Sequence, residues 1–413
     1  MKLIKFDIKA IFIVSFSLFT FHFLDAQELQ YLISESLLNN PKIKKFELQY
    51  RIASEKVNEV NTLPNTDFGV GYFLSEPETR TGAQRFKVSI KQRLPWFGSI
   101  AARENYITSL AETKYEDITI AKRKLMVSVS KSYYKLATNK AKKGILNNNI
   151  KLLKTYESLA LKSVEVGKAS VVDLLLLQIR TNEIEQLIRV LEQQYISEQT
   201  NFNKLLNRDK NIAINTLDAL VIPSVDFEMN PEKLFFHPEL LKYDKLYQSI
   251  EQSELLNQKE SKPMIGFGLD YLNVSNRKDL SFSDNGKDIL MPMVSISIPI
   301  FNTTYKSKTK QNELQQEAFL AQKQDRLNAL EVLLNKAGNN RSSARISYET
   351  QIKNLKQAKN AEEILIKNYE TGMIDFKEIL DIQGLQLKFE MNTIESVNNY
   401  FIQTTIINYL TQQ

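Results

Sequence analysis

Cysteine and histidine, which carry much of the nucleophilic and acid–base chemistry of enzymes, are almost missing from this chain. Its 413 residues include no cysteine and two histidines, and His22 lies in a segment expected to be removed. His237 would then be the only histidine of the mature protein. Thiol nucleophiles, histidine pairs and disulfides are therefore excluded. The sequence predicts a protein that is not an enzyme and that needs no cofactor.

The remaining motifs with chemical potential favour structural interpretations. Gly69-x-Gly71 and Gly266-x-Gly268 lack the third glycine and the helix start of a phosphate-binding loop. Met291 and Met293 share one face of a predicted strand, from which their sulfur atoms could contact a soft metal ion moving along that face. Filling space is their favoured role, and no metal site is predicted. Glu362 and Glu363 lie in a helical pattern and are interpreted as surface charge.

Residues 1–26 have the features of a secretory signal peptide. Three lysines precede an apolar run from Ala10 to Phe23, which is too short to span a bilayer as a helix. Ala26 offers a small residue for cleavage, and an uncleaved membrane anchor is the less favoured alternative. Because there is no cysteine to acylate, any attachment to a membrane is expected to come from the fold itself. The formal net charge of +6 gives no indication of nucleic-acid binding.

Proline placement predicts two long helical regions. No proline occurs between Trp96 and Ile222 or between Ile300 and Gln413, although the chain has ten. Segments 99–163 and 303–367 are each expected to form a nearly continuous helix roughly 100 Å long. Helices 170–207 and 375–411 would follow them. Seven-residue spacing, typical of helices packed along a narrow seam, links Leu380, Leu387, Ile394 and Phe401.

Landmarks of the first half of the sequence return in the second half at a nearly fixed offset. The run Leu94-Pro95-Trp96-Phe97-Gly98 corresponds to Ile298-Pro299-Ile300-Phe301-Asn302, and Gly167 corresponds to Gly372. This order predicts an internal duplication, with repeats over 27–222 and 223–413. Each repeat is expected to contain a helix, a β-hairpin, a long helix, a turn and a helix. The hairpins are predicted at 66–94 and 264–300, and the first helix of the second repeat at 231–260.

Both predicted hairpins alternate apolar residues with small or polar ones. Phe68, Val70 and Tyr72 oppose Gly69 and Gly71, and the second hairpin repeats the pattern. Such strands suit a lipid-facing wall around water, although half-buried hairpins on a soluble core would alternate in the same way. Four strands cannot close a barrel, and lipid does not tolerate open edges. Three copies would close twelve strands, whereas two copies would close a narrower barrel of eight.

The predicted fold class is therefore α+β. Each chain would contribute four strands to a 12-stranded trimeric transmembrane β-barrel, which a long periplasmic α-helical coiled-coil barrel would continue. These elements and motifs resemble the TolC-like outer membrane efflux protein family over the whole mature chain. Tyr369-Glu370-Thr371-Gly372 resembles the family's second hairpin tip, and Val166-Gly167 with Asp173 resembles the first. The run from Leu94 to Gly98 resembles the strand-to-helix junction of the cation-exporting CusC and CzcC branch.

The resemblance implies a homotrimer in the outer membrane of a Gram-negative bacterium. It would dock on a periplasmic adaptor (membrane fusion) protein, which in turn joins an inner-membrane transporter. Six residues would form the adaptor-facing hairpin tips: Gly167, Lys168, Asp173, Gly372, Met373 and Asp375.

Glu378 and Asp381 fall where the family places carboxylate rings at the pore constriction. Three copies of each near a narrow end would favour cations. Both residues would alternatively complement the dipole of the helix that begins beside them, which is the favoured interpretation for Asp173 and Asp375. Ile374 stands where the family often has a basic residue that links subunits in a gate.

Two classes of function fit these observations. The first is a passive exit duct, either of a tripartite efflux system with metal cations or drugs as cargo or of a type I protein secretion system. The second is a soluble periplasmic coiled-coil protein that binds or bridges partners. The signal peptide, the duplication, the alternating hairpins and the paired helices favour the duct.

Overall fold

Long helices and one small antiparallel sheet make up the chain. The computed structural model describes residues 28–165, 170–217, 220–226, 228–279, 282–371 and 373–411, so the predicted signal peptide, Gly167, Lys168 and Gly372 lie outside the described residues. Helix α1 covers residues 28–39. The other helices are α2 (Pro41–Val60), α3 (Ser99–Glu165), α4 (Val171–Leu205), α5 (Pro238–Glu260), α6 (Thr304–Glu370) and α7 (Phe376–Thr411). The strands are β1 (Asp67–Tyr72), β2 (Glu78–Thr79), β3 (Gly82–Leu94), β4 (Met264–Val274) and β5 (Ile289–Ser297).

The two proline-free regions contain the longest helices, since α3 and α6 have 67 residues each. The predicted helix 231–260 is interrupted, however. Pro238 has no amide hydrogen and disfavours helical backbone at the residue before it. His237 is accordingly extended, with φ −68° and ψ 132°, and a short 3₁₀ helix (Pro231–Phe236) precedes α5. Among the described residues, none of the helices is both long enough and apolar enough to cross a bilayer.

Contacts divide the chain into two compact units, and each unit takes segments from both halves of the sequence. The sheet unit comprises Phe46–Ile118 and Pro238–Arg326. The helical unit comprises Met1–Lys45, Thr119–His237 and Leu327–Gln413. These units do not coincide with the two predicted repeats, and the duplication stays a prediction.

In the sheet unit, the strands are neighbours in the order β1-β3-β4-β5, and every neighbouring pair is antiparallel. The short β2 pairs with the start of β3. Helices α5 and α6 pack through small and polar side chains. Ser253 Oγ donates a hydrogen bond to Asn312 Oδ1 at 3.2 Å, and Asn257 Nδ2 donates to the carbonyl of Tyr305 at 2.9 Å. These bonds satisfy polar groups that would otherwise be buried without partners.

In the helical unit, apolar seams of α3, α4 and α7 meet in one core. Leu153, Ile184 and Phe376 are fully buried members of this cluster. Leu387 belongs to it, and Leu380, seven residues earlier, packs against it. The seam predicted from seven-residue spacing is therefore a buried contact between helices in this part of α7.

Candidate functional site

The four main strands present one continuous apolar face. The register places Val70 opposite Val88, Val88 opposite Tyr271, and Tyr271 opposite Leu290. Val70 is 81% exposed. Other exposed apolar residues of this face are Phe68, Tyr72, Ile90, Phe267, Leu269, Val294 and Ile296. The register confirms the predicted alternation, and a single chain leaves the apolar face uncovered.

The opposite face of the same strands carries small and charged residues. A Cβ atom at Gly266 would lie 2.4 Å from Ser295 Oγ, so any larger residue at this position would require the Ser295 hydroxyl to move. Met291 and Met293 lie on the same face as Ser295, as predicted. Asp270 is completely buried on this face and forms an ion pair with Lys87. No group of three or more His, Cys, Asp or Glu residues within the described ranges is placed to hold a metal ion.

Strands β1 and β5 are the two outer strands of this sheet, and each has a main-strand neighbour on one side only in the described chain. Unpaired N–H and C=O groups at a sheet edge are costly in hydrocarbon, and in water they invite pairing with another chain. With its uncovered apolar face and two open edges, the sheet is incomplete in a single chain.

At the other candidate site, the predicted hairpin tips, Asp173 takes part in a capping box at the start of α4. Ser170 Oγ accepts a hydrogen bond from the amide of Val172 at 3.1 Å, and Asp173 Oδ2 accepts one from the amide of Ser170 at 3.2 Å. These bonds satisfy amides that have no carbonyl partner within the helix. The geometry agrees with a structural role for Asp173. The N-cap of α4 is Ser170, a residue that none of the predicted sites included.

Backbone hydrogen bonds close the turn between α6 and α7. The amide of Met373 donates to the carbonyl of Asn368 at 2.9 Å, the long bond of a Schellman-type helix end. The amide of Glu378 donates to the carbonyl of Asp375 at 3.2 Å. Met373 is 75% exposed, and Asp375 is exposed as well. The turn therefore presents both of these predicted tip residues at its surface.

Glu378 and Asp381 lie about one turn apart on an exposed face of α7. Neither forms a side-chain hydrogen bond or an ion pair with another described residue. Glu378 also belongs to the first turn of α7, where a carboxylate complements the helix dipole. This placement is compatible with both interpretations, and the pore ring stays a prediction.

Glu362 connects three helices of the helical unit. Its carboxylate accepts hydrogen bonds from Tyr156 of α3 at 2.7 Å, from Gln386 of α7 at 2.8 Å and from Gln383 of α7 at 3.2 Å. Burial and the bond to Glu362 hold the pKa of Tyr156 well above its usual range, so its hydroxyl remains a donor. The interpretation of Glu362 as surface charge is wrong. Its partner Tyr156 lies 206 residues away along the chain, beyond the reach of a local pattern.

Glu390 lies on α7 close to this cluster. Burial raises the pKa of its carboxyl, the charge of Lys359 lowers it and the charge of Glu362 raises it, so that the pKa lies above its ordinary value of 4.5. Protonation of Glu390 would therefore relieve the repulsion between two neighbouring carboxylates.

Asp226 anchors the connection between the two halves of the sequence. Its Oδ1 accepts a hydrogen bond from the hydroxyl of Tyr400 at 2.6 Å and another from Arg345, and Arg341 Nε lies 3.8 Å from Oδ2. Burial alone would raise the pKa of Asp226, but the hydrogen bonds of Arg345 and Tyr400 and the charge of Arg341 outweigh it and lower the pKa. No sequence pattern indicates this cluster, because Arg345 and Tyr400 lie 119 and 174 residues further along the chain.

Solved structures of several outer-membrane proteins have this fold. The chain aligns with CusC at a TM-score of 0.76 and 14% identity, covering 93% of this chain and 92% of that chain. It aligns with VceC of Vibrio cholerae at a TM-score of 0.74 and 14% identity, covering 94% and 97%. For the CmeC outer membrane channel of Campylobacter jejuni the TM-score is 0.73 at 14% identity, with 93% and 85% covered. The chain thus has the fold of outer-membrane channel proteins.

The sequence itself supplies the second comparison. Residues 32–208 match the family described as outer membrane efflux protein, whereas no curated protein matches the chain. The matched segment includes the first hairpin, α3 and α4. The family match and the shared fold confirm the resemblance to the outer membrane efflux protein family that the motifs indicated.

Proposed function

We propose that the chain is one subunit of a homotrimeric exit duct in the outer membrane of a Gram-negative bacterium. The observation that carries this proposal is the sheet, whose apolar face is exposed and whose outer strands β1 and β5 each have a main-strand neighbour on one side only in the described chain. An apolar face of this kind is stable against lipid, and open edges in lipid require pairing. Lipid would cover the apolar face, and neighbouring copies would satisfy the edges if β1 of one subunit pairs with β5 of the next.

Three copies would form a barrel of twelve main strands, with the glycine, serine and charged face lining the lumen. Twelve strands lie within the range of known membrane barrels, which begins at about eight. A barrel closed by three copies also removes every sheet edge from the lipid. The helices would continue this duct into the periplasm as a coiled-coil barrel.

The hairpin ends suit a role as the attachment point of the periplasmic adaptor. Among the described tip residues, Met373 and Asp375 are exposed beside a turn closed by hydrogen bonds. Family resemblance supplies the partners: an adaptor at these tips and an inner-membrane transporter joined through it. The duct would be passive, and the transporter would determine whether the cargo is a drug, a metal cation or a polypeptide.

Glu378 and Asp381 would form the negative constriction of this duct. Both are exposed and unpaired in the described chain, so three copies would bring six unneutralised carboxylates around one axis. Rings of charged side chains at a narrow point of a channel select ions by the sign of the ion's charge. With Ile374 at the usual basic position, the constriction would lack the family's charged link between subunits.

Membrane fractionation tests the proposal most directly. We expect the native protein in the outer-membrane fraction, from which only detergent should extract it. The extracted protein should have the mass of a trimer and should conduct ions after reconstitution into planar bilayers. The rival soluble bridging protein would instead appear in the osmotic-shock fluid as a species that needs no detergent. That result would overturn the duct.

A further inference from the structure

A cavity of about 610 Å³ lies where β3 leads into α3, within the sheet unit. This volume falls within the range of about 300–1,000 Å³ that small-molecule sites occupy. Apolar side chains dominate its lining, with Asn61 and Glu104 as the polar exceptions. The lining includes Leu94, Trp96, Phe97, Ala101, Ile265 and Phe267.

The cavity continues the apolar face of the sheet. Leu94, Ile265 and Phe267 belong to both surfaces, because the register pairs Leu94 with Ile265 and leaves Phe267 on the same side. Phe97 is 78% exposed although its ring contacts Trp96 at a centroid distance of 5.9 Å. An apolar occupant that reaches the sheet face through lipid would therefore meet the cavity without crossing a polar surface.

One carboxylate, that of Glu104, lines this cavity, and the ammonium of Lys259 lies close to Gly98, another of its lining residues. Gly98 has a φ of +80°, and a Cβ atom at this position would lie 3.6 Å from Lys259 Nζ. The Lys259 ammonium is therefore beside the start of α3, where the first-turn amides of Ile100 and Ala101 have no carbonyl partner within the helix. Together the ammonium and the helix N-terminus attract an anion such as a phosphate. Glu104, one turn further along α3, lines the same cavity and would attract a cation.

The geometry points to a binding site for an aminophospholipid, with an acyl chain in the cavity, the phosphate beside Lys259 and the amine near Glu104. This inference rests on the proposed function, because it requires the sheet to lie in a membrane. An acyl chain matches an apolar cavity continuous with the lipid-facing surface. A headgroup with one negative and one positive charge matches the two charged residues better than a purely anionic lipid does.

Lipid retention by purified trimers tests this site. We would incubate detergent-washed protein with synthetic phosphatidylethanolamine and count bound lipids by native mass spectrometry. Wild-type trimers are expected to retain about one lipid per chain, as suits a cavity of this size. Ala101→Trp places an indole in the cavity from an exposed helix position and should lower retention roughly tenfold, the effect of removing about two buried methylene groups.

Two further variants keep the test independent of folding defects. Ser307→Trp adds the same indole at an exposed position near the start of α6, outside the cavity, and should retain lipid like the wild type. Phe97→Ala opens the cavity wall without filling it and should lower retention to a smaller extent. Equal retention by the wild type and Ala101→Trp would overturn the site, as would a wild type that retains no lipid.

Headgroup competition distinguishes the lipid from a free anion. Lys259→Gln should weaken retention of phosphatidylethanolamine while leaving retention of uncharged diacylglycerol unchanged. Inorganic phosphate alone should not displace the lipid. Displacement by phosphate would indicate a simple anion site, and cross-linking of Phe97→Cys to a neighbouring subunit through a thiol-attached photocrosslinker would show that a second copy covers the cavity. Either result overturns the inference, whereas extraction as a conducting trimer would still support the duct.

Discussion

Glu378 and Asp381 are exposed carboxylates on one face of α7, and neither is neutralised by another described residue. If three copies surround a narrow end of the duct, their negative potential favours cations. We expect Glu378→Ala combined with Asp381→Ala to move the reversal potential under a KCl gradient toward that of a non-selective channel. Glu363→Ala removes an exposed carboxylate of α6 and serves as the control. Unchanged selectivity in the double variant would exclude both residues from the constriction.

Glu390 gives the helical unit a specific dependence on pH. Burial and the charge of Glu362 outweigh Lys359 and raise its pKa in the folded state above 4.5, so the folded protein binds this proton more tightly than the unfolded chain does. Stability contributed by the protonated carboxyl is therefore lost as the pH rises from about 4.5 through the folded pKa. We expect Glu390→Gln to raise the Tm at pH 8 and to leave it nearly unchanged at pH 4.

Thermal unfolding of detergent-solubilised protein at a series of pH values measures this difference. Glu363→Gln is the matched control, because it neutralises an exposed carboxylate on the neighbouring helix. A Tm difference between Glu390→Gln and the wild type that does not vary with pH would contradict the prediction.

Local sequence could identify exposed tip residues but not the clusters that hold the helices together. Glu378, Asp381, Met373 and Asp375 are predicted because the segment around Gly372 resembles the family's second hairpin tip. Glu362 and Asp226 could not be found in that way, because each acquires its role from partners on other elements. No spacing rule within one helix indicates which distant hydroxyl or guanidinium will lie beside a carboxylate.

Strand β5 allows a direct comparison of the two faces of the sheet. Val294 lies on the apolar face opposite Phe267, whereas the next residue, Ser295, lies on the other face opposite Gly266. We expect Val294→Arg to destabilise the membrane-inserted protein by about 2–4 kcal/mol, the cost of a basic residue near the middle of a lipid-facing wall. Ser295→Arg should be tolerated, because its side chain would face water.

The yield of detergent-extracted trimer and the midpoint of urea unfolding in lipid vesicles measure this effect. Similar behaviour of the two arginine variants would show that neither face contacts lipid, as the soluble alternative requires.

The regular elements were predictable because their signals are local and repeated. Alternation over several residues specifies a strand with two faces, and long proline-free segments specify α3 and α6. The helix predicted over 231–260 is interrupted at His237, because Pro238 disfavours helical backbone at the residue before it. The register between β3 and β4 was not predictable, because it joins strands from different halves of the sequence.

At the scale of the whole molecule, disulfides would trap the proposed pairing of β1 with β5 of a neighbouring chain, because the native sequence has no cysteine that would compete. Within one chain these strands are three inter-strand spacings apart, about 14 Å, which is beyond the reach of a disulfide. We expect Val70→Cys combined in turn with Met293→Cys, Val294→Cys and Ser295→Cys to produce, in at least one pair, a ladder of covalent dimers and trimers on non-reducing gels.

The control pair is Lys91→Cys with Gly268→Cys, which are register partners within one chain. It should form an internal disulfide and migrate as a monomer. If none of the three β1–β5 pairs produces a ladder in membranes while the control pair oxidises, subunits do not meet along these edges.

Segments of both units are interleaved along the chain, and this order has a consequence for biogenesis. The helical unit needs Leu327–Gln413 together with Thr119–His237, and the sheet unit needs Pro238–Arg326 together with Phe46–Ile118. A nascent polypeptide that has emerged only as far as its midpoint therefore holds just part of each unit, with apolar seams and strand edges unsatisfied. Folding of this topology must await the late segments, so we expect an incomplete chain to expose apolar surface and to aggregate unless it is held in an extended, soluble state.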